Sequence, residues 1–270
     1  MTPETLLESN ATSSASLSKP IEIYVFVDPL CTNSWALQPL LRRLQVEYER
    51  YFTLKIVLRT SLANTNSCCY VNMDDAKACG NNHPAFPSIA SKAAEFQGKR
   101  AGYRFISKLF EYTYLKKRNV LSFSVLVEIA ESLRLDVDEF VRDFSSNHVL
   151  HSLQVDMHLA NEMEVEDAPS FVFFNENIED EGLKVNGLHS YEIYEQILEE
   201  MVGYEITPDA PPILDELFQR FDSLSTKEIA DIYNIPEKSA ERELKKQLLL
   251  QKIERLPLTH SNMTLWRKRR

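Results

Sequence analysis

Several signatures are missing from this chain, and each absence narrows what it can do. No stretch approaches the ~20 apolar residues of a membrane-spanning helix. The first twenty residues, MTPETLLESNATSSASLSKP, have neither a basic n-region nor a long apolar core, so they do not read as a secretion signal. We therefore expect a cytoplasmic protein that makes no membrane contact. There is no P-loop, no dinucleotide fingerprint and no hydrolase triad, and no cofactor is expected. A surplus of basic residues is absent too. The 30 Lys and Arg stand against 40 Asp and Glu, a net charge of -10, which argues against wholesale nucleic-acid binding. Cysteine is scarce: Cys31, Cys68, Cys69 and Cys79 are the only four. In a large cytosolic chain these read as free thiols, ligands or redox groups rather than staples. The adjacent pair Cys68-Cys69 cannot easily close on itself.

What is present is an ordinary globular composition of 270 residues, 44% hydrophobic and 26% charged, enough for one large domain or two smaller ones. IEIYVFV, from Ile21 to Val27, is an apolar β-branched and aromatic run that reads as a buried strand. Trp35, Leu37, Leu40, Leu41, Leu44 and Tyr48 then recur at helical spacing, predicting a helix from about Thr32 to Arg50 that Pro39 should kink. FTLKIVLRT, from Phe52 to Thr60, reads as a second strand, so the three form a βαβ unit with a parallel pair. A loop rich in Asn, Ser, Cys and Pro spans Ser61 to Pro87. Helical periodicity with no clear strand follows, carried by Ile89, Ala93, Tyr103, Ile106, Leu109, Phe110, Val125, Ile129, the run LDVDEFVRDF and the stretch from Val149 to Met163. Strand character returns at SFVFF, Ser170 to Phe174, with GLKVNG as the second arm of a hairpin and a helix from Tyr191 to Met201 stopped by Gly203. The acidic run Glu176 to Glu181 falls at the turn of that hairpin.

TPDAPP, Thr207 to Pro212, is a proline-rich linker and the expected domain boundary. Beyond it three helical segments are predicted. The second opens with a capping-box pattern at Ser225-Thr226-Lys227-Glu228, and the third runs from Pro236 to about Ile253. The resulting division is a disordered tail over 1–19, a body over 20–206 with a helical insertion at about 84–165, and a C-terminal module over 213–270.

Three features converge on a thiol site. Cys31 follows a buried strand and begins a helix, where the dipole and free N–H groups stabilise a thiolate. Pro169, after Ala168 and directly before SFVFF, stands where the fold would place a proline facing that thiol, often through a cis bond. The position three residues after Cys31, where a resolving thiol would stand, is Ser34. The plain alternative is that Cys31 is a buried packing residue. Either way a dithiol–disulfide cycle within Cys31-x-x-Ser34 is chemically unavailable, which leaves monothiol exchange. No catalytic residue is assigned, and Cys31, Ser34 and Pro169 are taken as a residual thiol site.

Two other patterns carry chemistry-bearing residue types. Cys68, Cys69, Cys79 and His83 have zinc-binding side chains, but adjacent cysteines rarely chelate together, and a cysteine-containing loop with no metal is the plainer reading. The C-terminal helices suggest a helix-turn-helix or winged helix with a wing drawn from the segment through Trp266. A DNA-reading helix would present Arg, Lys, Asn or Gln at its start, whereas this one opens with Glu237, Glu241 and Glu243. A protein-binding module with no nucleic-acid partner is preferred, and the run Arg267-Lys268-Arg269-Arg270 reads as a solvated tail.

The order strand–Cys–helix, strand, helical block, Pro–strand–hairpin–helix resembles the DsbA-like branch of the thioredoxin superfamily, and Pro39 matches its helix-kinking proline. The fold expected is therefore α/β, a DsbA-like thioredoxin fold with a helical insertion plus a small helical or winged-helix-like C-terminal domain. More specifically, IEIYVFVDPLCTNSWALQPLLRRL, KAAEFQGKRAGYRFI, APSFVFFNENIEDEGLKVNGLHSYEIYEQILEEM and TKEIADIYNIPEKSAERELKKQLLLQKIERL resemble the YjbH/SpxH family. The resemblance covers nearly everything from Pro20 to Trp266. It implies an adaptor that binds the stress transcription regulator Spx and speeds its degradation by the ClpXP protease, with ClpX a further candidate contact. It assigns no partner-binding residues here. Family members can carry C-x-x-C and a zinc-associated N-terminus rich in His and Cys; this chain has neither. The alternative function is a DsbA-like thiol-disulfide oxidoreductase or monothiol exchange enzyme using Cys31.

Overall fold

The computed structural model describes residues 20–60, 82–177, 181–256 and 263–269. The expected disordered tail over 1–19 and the residues Cys68, Cys69 and Cys79 lie outside them.

Strand β1 (Ile21–Val27) is central to a four-stranded sheet of order β2-β1-β3-β4, with β2 at Phe52–Leu58, β3 at Ser170–Phe174 and β4 at Leu183–Asn186. β1 and β2 run parallel, while β1–β3 and β3–β4 are antiparallel. Alternation along β1 sends Ile21, Ile23, Val25 and Val27 to one face and Phe26 to the other, so both faces need cover. Helix α2 (Gln38–Tyr48) supplies Leu41, Leu44 and Tyr48 to the first face. The second face packs Phe26, Val57 and Val172 against Ala160 and Val165.

The helix expected from Thr32 to Arg50 is broken in two. α1 spans Thr32–Ala36, and α2 starts after Leu37. Pro39 explains the break: it has no N–H to offer the Trp35 carbonyl, and its ring displaces that carbonyl. It sits instead in the first turn of α2, where no N–H is required.

Between β2 and β3 run α3 (Phe86–Phe96), α4 (Lys99–Phe110), a π-helical turn (Glu111–Leu115), α5 (Phe123–Ser132), α6 (Val137–Phe144) and α7 (Asn147–Glu162). Their apolar stripes merge with the first face of the sheet through Phe86, Phe105, Phe110, Phe140 and Phe144. α8 (Tyr191–Val202) closes the body with Tyr194 and Leu198 and ends on Gly203 in the left-handed region, φ 78°.

The C-terminal segment is α9 (Leu214–Arg220), β5 (Leu224–Ser225), α10 (Thr226–Ile232), α11 (Glu237–Leu249), β6 (Ile253–Leu256) and β7 (Leu265–Lys268). The helices and the sheet, in the order β5-β7-β6, make a winged-helix arrangement. Two expectations are corrected here. The third helix stops at Leu249, and Ile253 begins a strand. The basic run is not a solvated tail: Arg267 and Lys268 lie in β7, Arg267 pairs with Glu254, and Lys268 pairs with Asp215 at 2.8 Å. β7 also carries Leu265 and Trp266 into apolar cores, and burying those two residues pulls the basic positions into the ladder.

The segment is pinned to the body by charge as well as packing. Val46 of α2 enters its core beside Leu217, Phe221, Ile229 and Trp266. Arg42 donates to Glu228 at 2.7 Å and to the Ser223 carbonyl at 3.1 Å. Arg104 makes a two-pronged bond to Asp222, both arms 2.7 Å. Glu111 accepts from Lys108 at 2.8 Å and from Ser223 at 3.0 Å.

Candidate functional site

Cys31 is the N-cap of α1, and the loop before it is held by local bonds. Asp28 Oδ1 accepts from the Leu30 N–H at 2.8 Å, and the Asp28 carbonyl from the Cys31 N–H at 3.0 Å. This turn sets the thiol at the end of the central strand, partly exposed. The Cys31 thiol donates to the Ala168 carbonyl at 3.3 Å, and the peptide between Ala168 and Pro169 is cis. The chain separates Cys31 from Ala168 by 137 positions, and the antiparallel pairing of β1 with β3 brings them together.

Ser34 occupies a different environment. It is fully buried, and its Oγ accepts the Asp28 N–H at 3.1 Å. The hydroxyl thus braces the turn that carries Cys31. Ser170, the residue after Pro169, is anchored in the same way: its hydroxyl donates to the Asp167 carbonyl at 2.7 Å and contacts Asn186 Oδ1 at 3.2 Å.

Two aromatic residues that sequence reasoning did not place at this site complete it. The Tyr114 hydroxyl donates to the Leu30 carbonyl at 2.7 Å, and its ring stacks on Trp35 with centroids 4.9 Å apart. Burial pushes the Tyr114 phenol up from its ordinary value, so it remains a neutral donor. Nothing in the sequence linked Tyr114 to the thiol loop, because its contact spans 84 positions. Behind Trp35 a groove of about 1060 Å³ opens between α2, the start of α8 and the C-terminal segment, lined among others by Pro39, Tyr191, Lys227 and Met263.

His83 is separate from the thiol. Its Nδ1 accepts the Ala85 N–H at 3.1 Å, and its ring lies against Phe86. The described residues hold no cluster of three His, Cys, Asp or Glu side chains arranged for a metal. No helix among them is long and apolar enough to cross a membrane.

The fold is matched by the Thioredoxin family model over residues 24–196. A putative protein disulfide isomerase from Nitrosomonas europaea superposes with a TM-score of 0.53, at 16% identity over 68% of this chain and 98% of its own. The Wolbachia pipientis protein alpha-DsbA1 also gives 0.53, at 12% identity over 69% of this chain and 87% of its own. Those likenesses concern the fold. Sequence reaches further: the ClpXP adapter protein SpxH of Shouchella clausii is 36% identical over 96% of this chain and 93% of its own length. The chain belongs to the SpxH family. The SpxH of Bacillus subtilis agrees, at 37% identity over 90% of this chain and 88% of its own. The SpxH match extends past residue 196, the last position covered by the Thioredoxin model, and so takes in residues of the winged-helix segment. Membership therefore concerns the whole arrangement, the thiol loop and the C-terminal helices together.

Proposed function

We propose that this protein is a non-catalytic adaptor that binds the regulator Spx and presents it to ClpXP for degradation. The observation that carries this reading is similarity to proteins named ClpXP adapter protein SpxH along nearly the full chain. The state of the thiol loop supports it. Residues Cys31, Ser34 and Pro169 form a residual thiol site in which Ser34, buried under Asp28, supplies no second sulfur to resolve a mixed disulfide. An adaptor needs no such chemistry. It raises the effective concentration of its substrate at the protease and holds the substrate in one geometry.

In this reading the thioredoxin-like body over 20–206 and the module over 213–270 act as one scaffold, joined by Arg42–Glu228 and Arg104–Asp222. The protein works beside a cytoplasmic protease. A reconstituted assay of Spx, ClpX and ClpP tests the proposal. Spx should disappear faster when the protein is added, and equal rates with and without it refute the adaptor role.

One observation favours a second reading. Cys31 is partly exposed at the start of α1, where an incoming disulfide can reach its sulfur. Glutathione-exchange turnover by the wild-type protein that is lost in Cys31→Ser would establish that activity. The same variant should leave Spx degradation within about twofold of wild type, because the adaptor role uses no bond to sulfur.

A further inference from the structure

In a parallel pair, alternate residues of a strand turn both backbone groups to the partner, and the residues between turn theirs away. Two bonds fix that parity for β2. The Ile21 N–H donates to the Tyr51 carbonyl at 3.2 Å, and the Arg59 N–H to the Val27 carbonyl at 2.9 Å. With the register running from Ile21↔Phe52 to Val27↔Leu58, the odd-numbered residues of β2 serve β1. Phe52, Leu54, Ile56 and Leu58 then present N–H and C=O at the outer edge, and β2 is an edge strand. The Leu58 N–H is taken by Asp156 Oδ2 at 2.9 Å. Leu54 and Ile56 have no further backbone partner among the described residues. Both residues are half-buried, and an edge strand with open donors and acceptors is a template for a further strand.

It opens into a groove of about 390 Å³ walled by α3, α4 and α7. The groove's charge runs against that of the protein. The whole chain carries -10, yet the lining has Lys55, Lys92, Lys99 and Arg100 against only Glu95 and Asp156. Lys55 is engaged by Glu22 at 2.7 Å, and Lys92 by Glu95 and Asp156 at 2.6 and 3.0 Å. Lys99 and Arg100, both exposed, close no direct ion pair among the described residues: Lys99 only helps lower the Glu22 carboxyl at a distance, and Arg100 donates to the Gln219 carbonyl at 3.0 Å. The Gln45 side-chain oxygen in the same lining is buried and also lacks a hydrogen bond there.

We propose that this groove takes an extended, acidic segment of a partner protein, which adds to β2 as a fifth strand. Main-chain bonds to Leu54 and Ile56 hold the segment, and Lys99 and Arg100 select for carboxylate side chains. Asp156 ends the site at Leu58 by occupying the next donor. A second copy of this chain is a poor occupant. Its own β2 lies behind the same helical walls, and edge-to-edge pairing would set two cationic rims against each other. The inference stands apart from the adaptor reading, because it concerns peptide capture and not degradation.

The full-length protein is titrated into a short fluorescein-labelled peptide of alternating Glu and Val, and anisotropy is read. Saturable binding should appear and weaken severalfold as salt rises past the point where the Debye length falls below about 8 Å. The matching Lys-Val peptide should not bind. N-methylation of alternate peptide nitrogens on one edge should abolish binding, while methylation on the other edge leaves it unchanged. Lys99→Glu combined with Arg100→Glu should weaken binding about tenfold. Leu54→Pro should abolish it with the fold kept, since the lost N–H is outside the β1 ladder and edge strands accept proline there. The proposal is overturned if the Glu-Val peptide fails to bind, if the Lys-Val peptide binds equally, or if N-methylation has no effect. Binding only after removal of residues 1–19 would assign the edge to the chain's own N-terminal segment. A dimer abolished by Leu54→Pro would assign it to a second copy. Either result also overturns the proposal.

Discussion

Ser34 is the residue on which the thiol site turns. Its hydroxyl is the acceptor for the Asp28 N–H in a region closed to water, so Ser34→Ala removes that bond without supplying a substitute. The expected cost is about 1 kcal/mol, read as a lower urea midpoint with an unchanged slope. Cys31→Ser, by contrast, replaces a partly exposed donor with another donor to the same carbonyl and should shift the midpoint little. The sequence placed Cys31 at a helix start and Pro169 before a strand, because both positions follow from local pattern. It could not give Ser34 its partner. That bond depends on the turn from Asp28 to Cys31, which folds the chain back over six positions. The pairings of Arg42 with Glu228 and of Lys92 with Asp156 were hidden for the same reason: those carboxylates come from other elements.

Among the elements, those with short-range rules were the legible ones. The capping box was visible as Ser225 followed by Glu228, and both reciprocal bonds are present: the Glu228 N–H to Ser225 Oγ at 3.1 Å and the Ser225 N–H to Glu228 Oε2 at 2.6 Å. Gly203 was visible as a helix stop, and its φ of 78° is the reason. Gly203→Ala should destabilise by about 1 kcal/mol in thermal or urea unfolding, since an L side chain is strained there and nothing within 4 Å would compensate by contact. Ser225→Ala should cost about 1 kcal/mol or more, because the lost acceptor is buried. A wing was expected from the segment through Trp266, but the bounds of β6 and β7 were not legible. IERL and LWRK are short and half charged, and each becomes a strand only through the other. The π-helical turn at Glu111–Leu115 likewise has no sequence signature; it brings Glu111 to Lys108, Lys116 and Ser223.

For the whole molecule, the question is whether the body and the winged-helix segment unfold as one. Burial alone would raise the Glu111 carboxyl, yet Lys108 and Lys116 hold it below the ordinary carboxylate range. A depressed carboxylate contributes stability above its unfolded value and loses that contribution as pH falls through the folded value. Acidification below about pH 4.5 should therefore loosen the join first, with Trp266 fluorescence changing before the far-UV signal of the body. Glu111→Gln should remove that part of the pH dependence and cost about 3 kcal/mol at neutral pH, since it leaves Lys108 without its carboxylate. Arg42→Ala should cost a similar amount by stranding Glu228, whereas breaking the more exposed Arg104–Asp222 pair should cost no more than about 1 kcal/mol in a double-mutant cycle. The order of strands in the C-terminal sheet has a consequence for synthesis. The middle position belongs to β7, so β5 and β6, though made earlier, have no neighbour until Leu265–Lys268 leaves the ribosome. A nascent chain paused before that point carries two unsatisfied strands and no Trp266 to seal them, so the winged-helix segment stays open to chaperones and to aggregation until its last strand is made.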